Sequence, residues 1–275
     1  MTAAAPAARA PSAGGGGSAF GVLLRKELLE SVRTFRLPIV AGLFLFTGLS
    51  SPVLARYLPE IIELAGGDQL GVLEIPTPTA LDAVDQLVKN LAQFGALAAI
   101  LLAMPLVSGE KDRGTAAFIL TKPVTRRAFL LAKLVGLGVV LGASTVIAVI
   151  AGWIYTALLF EPLPVLGWLW LTFLVCLWLF AFAALTFAGS VVTGSTAAAA
   201  GIGFVALLGL GIVSAIPGLG KFTPGGLLGP ATELAANTVS VGQLGTNLFY
   251  PIAATLVLIA AAIAVSAWSF GRQEL

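Results

Sequence analysis

Between Glu161 and Lys221 the chain carries no charged side chain. That stretch is long enough to cross a bilayer core of about 30 Å twice, since one helical crossing takes roughly 20 apolar residues. Shorter charge-free runs lie at 37–55, 90–109, 134–160 and 234–271. Over all 275 residues, 58% are hydrophobic and 10% charged, with a mean hydropathy of +1.01. Soluble domains carry about a quarter charged residues, so this much apolar surface needs lipid around it. The long run divides at Gly189-Ser-Val-Val-Thr-Gly194, a turn-rich patch. The expectation is an all-α integral membrane protein with six transmembrane helices, near 37–56, 87–108, 128–160, 165–188, 195–216 and 248–270.

An even number of spans puts both termini on one side. With the N-terminus inside, only Arg56, Lys89 and Lys221 of the 15 Lys and Arg fall outside, a bias that follows the positive-inside rule. Tyr57, Trp153, Tyr155, Trp168, Trp170 and Tyr250 then sit near outer ends, as an interfacial aromatic belt does. Both signals predict a multi-pass protein of the cell (plasma) membrane with cytoplasmic termini. Residues 1–19 (MTAAAPAARAPSAGGGGSA) read as a flexible tail that buries nothing, and no apolar stretch is placed as a cleaved leader requires. Residues 20–275 form the transmembrane domain. Small residues at Gly138-x-x-x-Gly142 and from Ala197 to Gly203 permit close helix approach, either within one bundle or across a seam between two copies.

No His is present, and the one Cys, Cys176, lies in an apolar run. Disulfides, Cys/His zinc sites and histidine catalysis are thereby excluded. Gly218-Leu-Gly-Lys221 resembles the tail of a phosphate-binding loop but continues to Phe222 and lacks the upstream glycine. No catalytic, cofactor or metal site is expected, and a net charge of +2 gives no reason to expect nucleic acid as a partner. The spans offer hydroxyls (Thr47, Ser144, Thr145, Thr172, Thr186) and, near one inner end, Lys133. Such hydroxyls usually bond back to their own helix. An ion-coupled carrier or a membrane-embedded enzyme, which need ionisable groups at bilayer depth, is therefore disfavoured.

Ahead of the first span, AFGVLLRKELLESVRTFR places Phe20, Leu24, Leu28 and Val32 on one stripe with Phe35 beside them. Lys26, Glu30 and Arg33 fall on the other side at i,i+3 and i,i+4 spacing. This reads as an amphipathic interfacial helix over 20–36, lying in the inner headgroup layer; a plain extension of the first span is the other reading. Pro38 predicts a bend between the two. The outer stretch 57–86 carries Glu60, Glu63, Asp68, Glu74, Asp82 and Asp85 without Lys or Arg, making either a set of scattered solvated carboxylates or a metal-binding or substrate-collecting acidic surface. Thr79 suits an N-cap, and Asp82 the first turn of the helix that follows. The Gly/Pro-rich segment 216–247 is expected to fold back toward the membrane as a cap.

A polar island, SGEKDRGTAAFILTKPVTRR at 108–127, interrupts the apolar runs. Thr115 through Leu120 can form a short helix that Lys122-Pro123 ends, and Thr125 can cap the third span. Arg126 and Arg127 would then occupy its first turn, where the helix dipole disfavours cations. Anionic headgroups or a docking partner must hold them there.

Glu110-Lys-Asp-Arg-Gly-Thr115, Leu120-Thr-Lys-Pro-Val-Thr-Arg126 and Leu131-Ala-Lys133 resemble the signature of ABC-2 type transporter permeases. In that family a Glu-Lys-x-x-Gly-Thr segment, a Pro-Val-Ser/Thr-Arg segment and a following Lys come after the second span. Leu24-Arg-Lys-Glu-Leu28 with Arg33 is similar to the family's opening motif. Pro76-Thr-Pro with Val88-Lys-Asn-Leu-Ala-Gln93 is similar to its six-span, single-domain branch. The specific motifs lie in the first half of the chain; over the rest the likeness is one of spacing and hydropathy.

The resemblance implies an ABC-2 exporter-like fold and a permease domain over 20–275 that is not an enzyme and binds no cofactor itself. It implies a cytoplasmic ATP-binding subunit holding ATP and Mg, and a second permease copy, identical or related, beside this one in the lipid bilayer. The segment after the second span would be a coupling helix seated in a groove of the ATPase: Glu110, Lys111, Asp112, Arg113, Gly114 and Thr115, continuing to Phe118. The interfacial helix around Arg25, Lys26, Glu27 and Arg33 would flank it. Closure of the ATPase pair would press on this element and switch the bundle between inward and outward states. Relatives serve peptides, antibiotics, ions, lipids and metalloenzyme maturation, including that of nitrous oxide reductase. The cargo therefore stays open, although a hydroxyl-lined, charge-free bundle favours an amphipathic or lipid-like one. A non-transporting scaffold that recruits an ATPase or a maturation factor is the alternative.

Overall fold

The computed structural model describes residues 16–64, 77–114 and 125–273. They form α1 (Gly16–Arg33), α2 (Arg36–Leu64), α3 (Ala80–Ala103), α4 (Pro105–Asp112), α5 (Arg126–Leu159), α6 (Val165–Thr193) and α7 (Thr196–Ala215). Two 3-10 turns follow (Gly220–Phe222 and Pro224–Leu227), then α8 (Leu228–Ala235), α9 (Val241–Leu244) and α10 (Thr246–Arg272). No strand occurs among the described residues. Six segments are long and apolar enough to cross a membrane: α2, α3 continued by α4, α5, α6, α7 and α10. The chain is a multi-pass membrane protein of the all-α class. The helix expected over Thr115–Leu120, with Phe118, lies outside the described residues, as do Asp68 and Glu74 of the acidic stretch.

Lipid tails are as apolar as these side chains, so the bundle is held by close packing and internal polar ties. α6 occupies the centre, packing on α3, α7, α8 and α10. Its Leu171, Leu174 and Leu179 share a core cluster with Val84, Leu87 and Leu91 of α3. α2 runs along α5, and a Cβ on Gly48 would collide with the carbonyl of Ala148. Glycine there lets the two backbones touch. Gly138 and Gly203 pack inside the bundle against Phe180 and Ile100, whereas Gly142 and Gly201 have nothing within 4 Å. α7 is the least buried span and leaves Val205, Leu208 and Ile212 exposed.

Boundaries moved where packing overrode local signals. α6 continues through Gly189 and Ser190 and ends at Gly194, whose φ of 65° closes the helix; Ser195 then caps α7. The bend expected at Pro38 falls instead at Thr34–Phe35, where Phe35 has φ 58°, a costly conformation for an aromatic residue. Pro38 sits in the first turn of α2, where no backbone N–H is needed. Two expected caps are present. Thr79 N and Oγ1 donate to Asp82 Oδ2 at 2.8 and 2.7 Å, and Thr125 Oγ1 accepts from Ala128 N at 3.1 Å. The segment after α7 folds back, burying Leu227, Ala231, Leu234 and Ala235 with α8 against α6.

Candidate functional site

The second span breaks because of Pro105, which has no N–H to extend the helix. α3 stops at Ala103 and α4 restarts at Pro105. The backbone groups at this break are satisfied by Ser190 of α6, whose Oγ donates to Met104 O at 2.7 Å and accepts from Ser108 N at 3.0 Å. Ser108 Oγ donates to Met104 O and lies 2.9 Å from Thr196 Oγ1 of α7. The short helix is thus set rigidly against the end of the bundle.

At the end of α4 the charged run divides. Asp112, Arg113 and Gly114 are exposed, and Gly114, with φ 68°, closes the helix. Glu110 and Lys111 turn inward. Glu110 Oε1 accepts from Lys133 Nζ of α5 at 2.8 Å and from Lys26 Nζ of α1 at 3.2 Å. Lys133 also bonds Glu27 Oε1 at 3.1 Å, and Lys26 lies 3.2 Å from Glu27 and 3.3 Å from Glu30. The Lys133 side chain is only 3% exposed and that of Glu27 9%. Two ammonium groups and three carboxylates therefore join α1, α4 and α5. Gly136 makes the close approach possible, since a Cβ there would stand 3.1 Å from Glu27 Cβ.

Within α1, Phe20, Leu24 and Leu28 of the apolar stripe are half-buried, and Lys26 and Arg33 are exposed. Glu27 is buried, while Val32 and Phe35 of the apolar stripe are exposed. Lipid can cover an apolar stripe, but it cannot pair a lysine in the bundle. The demand of Lys133 for a carboxylate sets the rotation of the helix. The oxygens of Glu27, Glu30 and Glu110 come within 4.8 Å of one another, close enough for a shared metal ion. Lys26 and Lys133 already supply the positive charge there, so the cluster needs no metal.

Burial works to lower the pKa of Lys26, but the carboxylates of Glu27, Glu110 and Glu30 outweigh it and raise it above the ordinary 10.5. Burial works to raise Glu30, but Lys26, then Lys133 and Arg36, bring it below the ordinary 4.5. A lowered carboxylate stabilises the fold above its ordinary value and loses that contribution as pH falls through the lowered one. A raised lysine does the converse, losing its contribution as pH rises through the raised value. Docking of α1 should therefore be constant from about pH 5 to pH 10 and loosen in stronger acid. Spin-label distances between α1 and α5 across that range check this, and a change between pH 6 and 8 would contradict it.

Lys111 reaches the other way. Its Nζ donates to Val191 O at 2.7 Å and to Gln273 Oε1 at 2.6 Å. Arg126 Nη1 donates to Phe270 O at 2.9 Å and Gln273 O at 2.8 Å, capping the carbonyl end of α10. The cation disfavoured by its own helix dipole serves the negative end of another helix. α4 is thus tied through Glu110 to α1 and α5, and through Lys111 to α6 and α10. Arg25 and Arg33 stay exposed on α1.

Sequence reasoning missed Ser190, Gln273 and the pairing of Glu27 with Lys133. It also missed Asn90, whose Nδ2 donates to Ser51 Oγ across α3 and α2 at 2.8 Å. Two signals pointed toward them: a lysine inside an apolar run needs a carboxylate, and a proline inside a span needs a hydroxyl or another donor nearby.

Toward the α8 end a groove of about 1120 Å³ opens between α3 and α7. Its wall is apolar, with Val88, Leu97, Trp178, Phe204 and Leu208, and Gln93 contributes an amide. Asp82, Asp85, Lys89 and Glu233 stand at its α8 end, with Lys89 paired to Asp85 at 2.5 Å.

Comparison with known proteins gives concordant results. The family model described as ABC-2 family transporter protein matches residues 22–275. The Uncharacterized transmembrane protein YxlG of Bacillus subtilis (strain 168) is 27% identical over 258 residues, covering 92% of this chain and 97% of that protein. The Probable ABC transporter permease protein NosY of Stutzerimonas stutzeri is 30% identical over 283 residues, covering 92% and 98%. A family of permeases implies a non-enzymatic membrane subunit and an ATP-binding partner. With six spans and a match running from α1 to α10, the chain belongs to the ABC-2 family of transporter proteins.

Proposed function

We propose that this chain is the membrane-spanning permease of an exporter in the plasma membrane, driven by a separate subunit that holds ATP and Mg. The observation that carries the reading is α4. Its tip is exposed, while the two residues behind the tip are bonded to different pairs of helices. A push on the tip reaches α1 and α5 through Glu110, and α6 and α10 through Lys111. The ATPase contact is accordingly Asp112, Arg113 and Gly114, continued by Thr115 and Phe118 and flanked by Arg25 and Arg33. Glu110, Lys111, Lys26 and Glu27 transmit.

The excess of basic residues on the α4 side supports a cytoplasmic location for that end and for both termini. A second permease copy fits α7, whose exposed face carries Gly201, Val205, Leu208 and Ile212. The apolar groove with its acidic mouth supports an amphipathic cargo.

Asp112→Lys combined with Arg113→Glu alters only exposed side chains and should leave stability within about 0.5 kcal/mol. It should weaken binding of the ATP-binding subunit more than tenfold, because reversed charges at a complementary contact cost several kcal/mol. Arg113→Cys should crosslink to that subunit in native membranes. Full ATPase recovery by the reversed pair, or no crosslink, would place the contact elsewhere. Recruitment of the ATPase with no cargo movement would favour the scaffold.

A further inference from the structure

A crevice between α5, α6 and α10, at the α4 end, has no part in this coupling. It holds about 260 Å³ and is lined by Leu130, Leu131 and Leu134 of α5, Phe187 of α6, and Ile263 and Ala267 of α10. Ser266 also borders it, but its hydroxyl is committed to Ala262 O at 2.7 Å. The walls therefore offer an apolar chain nothing to desolvate. Arg127 borders the same crevice. Like Arg126 it is exposed, but unlike Arg126 it has no hydrogen bond or ion pair among the described residues. It also stands in the first turn of α5, where the dipole opposes a cation.

A bare cation beside an apolar slot complements one kind of molecule found in every bilayer. From Arg127 to Leu134, α5 rises about 10 Å, a depth that stays within one leaflet. Arg272, stacked 4.1 Å over the exposed Trp268 ring, marks this end of α10 as headgroup depth. Arg113, Arg127 and Arg272 are all exposed at this end, a field that repels choline or ethanolamine and attracts a headgroup with net negative charge. We propose that the crevice binds an anionic phospholipid, its phosphate on Arg127 and one acyl chain between α5, α6 and α10. Bound there, the lipid bridges α5 and α10 beside the cap that Arg126 already makes. The site depends only on the chain's own fold, so it stands whether or not the coupling contact is correct.

The test is retention of lipid by the purified full chain in micelles. Phosphatidylglycerol and phosphatidylcholine of matched acyl chains are supplied in equal amounts, and bound lipid is counted by native mass spectrometry. The chain should retain phosphatidylglycerol about fivefold over phosphatidylcholine, the ratio that about 1 kcal/mol per basic residue gives. Arg127→Gln should bring that ratio close to one, and Arg127→Lys should preserve it. Ala267→Phe, at an exposed position, fills the slot and should lose both lipids. Unfolding temperatures in lipid-free detergent verify that the variants fold; if Ala267→Phe does not, the two Arg127 variants decide. Equal retention of the two lipids by the unsubstituted chain, an unchanged ratio in Arg127→Gln, or undiminished retention in folded Ala267→Phe overturns the site.

Discussion

Lys133→Met should destabilise the bundle by about 3–5 kcal/mol, the cost of breaking a buried ion pair from one side. The substitution keeps most of the side-chain volume and removes only the charge, so packing loss is small. What it leaves is Glu27 and Glu110, both largely buried, facing each other with only the half-exposed Lys26 between them. Lys26→Met, at 42% side-chain exposure, should cost no more than about 1 kcal/mol, because solvent screens it. Removing the whole set, with Lys133→Met, Glu27→Gln and Glu110→Gln together, should recover most of the loss, since no unpaired charge remains. Thermal unfolding in a fixed detergent compares the four proteins. Equal losses for Lys133→Met and Lys26→Met would mean that burial does not govern this cluster.

Gly48→Val should prevent assembly of the bundle or cost at least about 3 kcal/mol, above the usual range for overpacking. The new Cβ meets the carbonyl and Cα of Ala148, and a helix backbone cannot rotate aside as a side chain can. Shifting α2 outward would open its contact with α5 along its length. Gly42→Val on the same helix meets nothing within 4 Å and should stay within about 0.5 kcal/mol. The pair cancels any general effect of valine in α2. Comparing the folded fraction of the two by fluorescence-detected size exclusion checks this, and equal yields would exclude backbone contact at Gly48.

Both effects arise where helices meet, and there the sequence was least legible. Local rules placed Thr79 over Asp82 and Thr125 at the start of α5, because a cap involves residues only three apart. They misplaced the α1–α2 bend, because Pro38 is tolerated in a first turn while the direction α1 must take is imposed by Glu27 on Lys133. The island between α3 and α5 was legible as special but not as divided. Four adjacent charges look alike in sequence, yet helical rotation turns Glu110 and Lys111 into the bundle and leaves Asp112 and Arg113 outside.

The sequence by itself determined the solvent, the number of spans, the family motif and the basic bias toward one side. Each of these depends on composition or on residues near one another in the chain. Only the tertiary structure decided which charges are paired, that Ser190 braces the break at Pro105, that Arg126 caps α10, and that Arg127 is left over beside an apolar crevice. Those partners lie far apart in the sequence, and a charge in a bundle is settled by whichever opposite group the fold brings within about 3 Å of it.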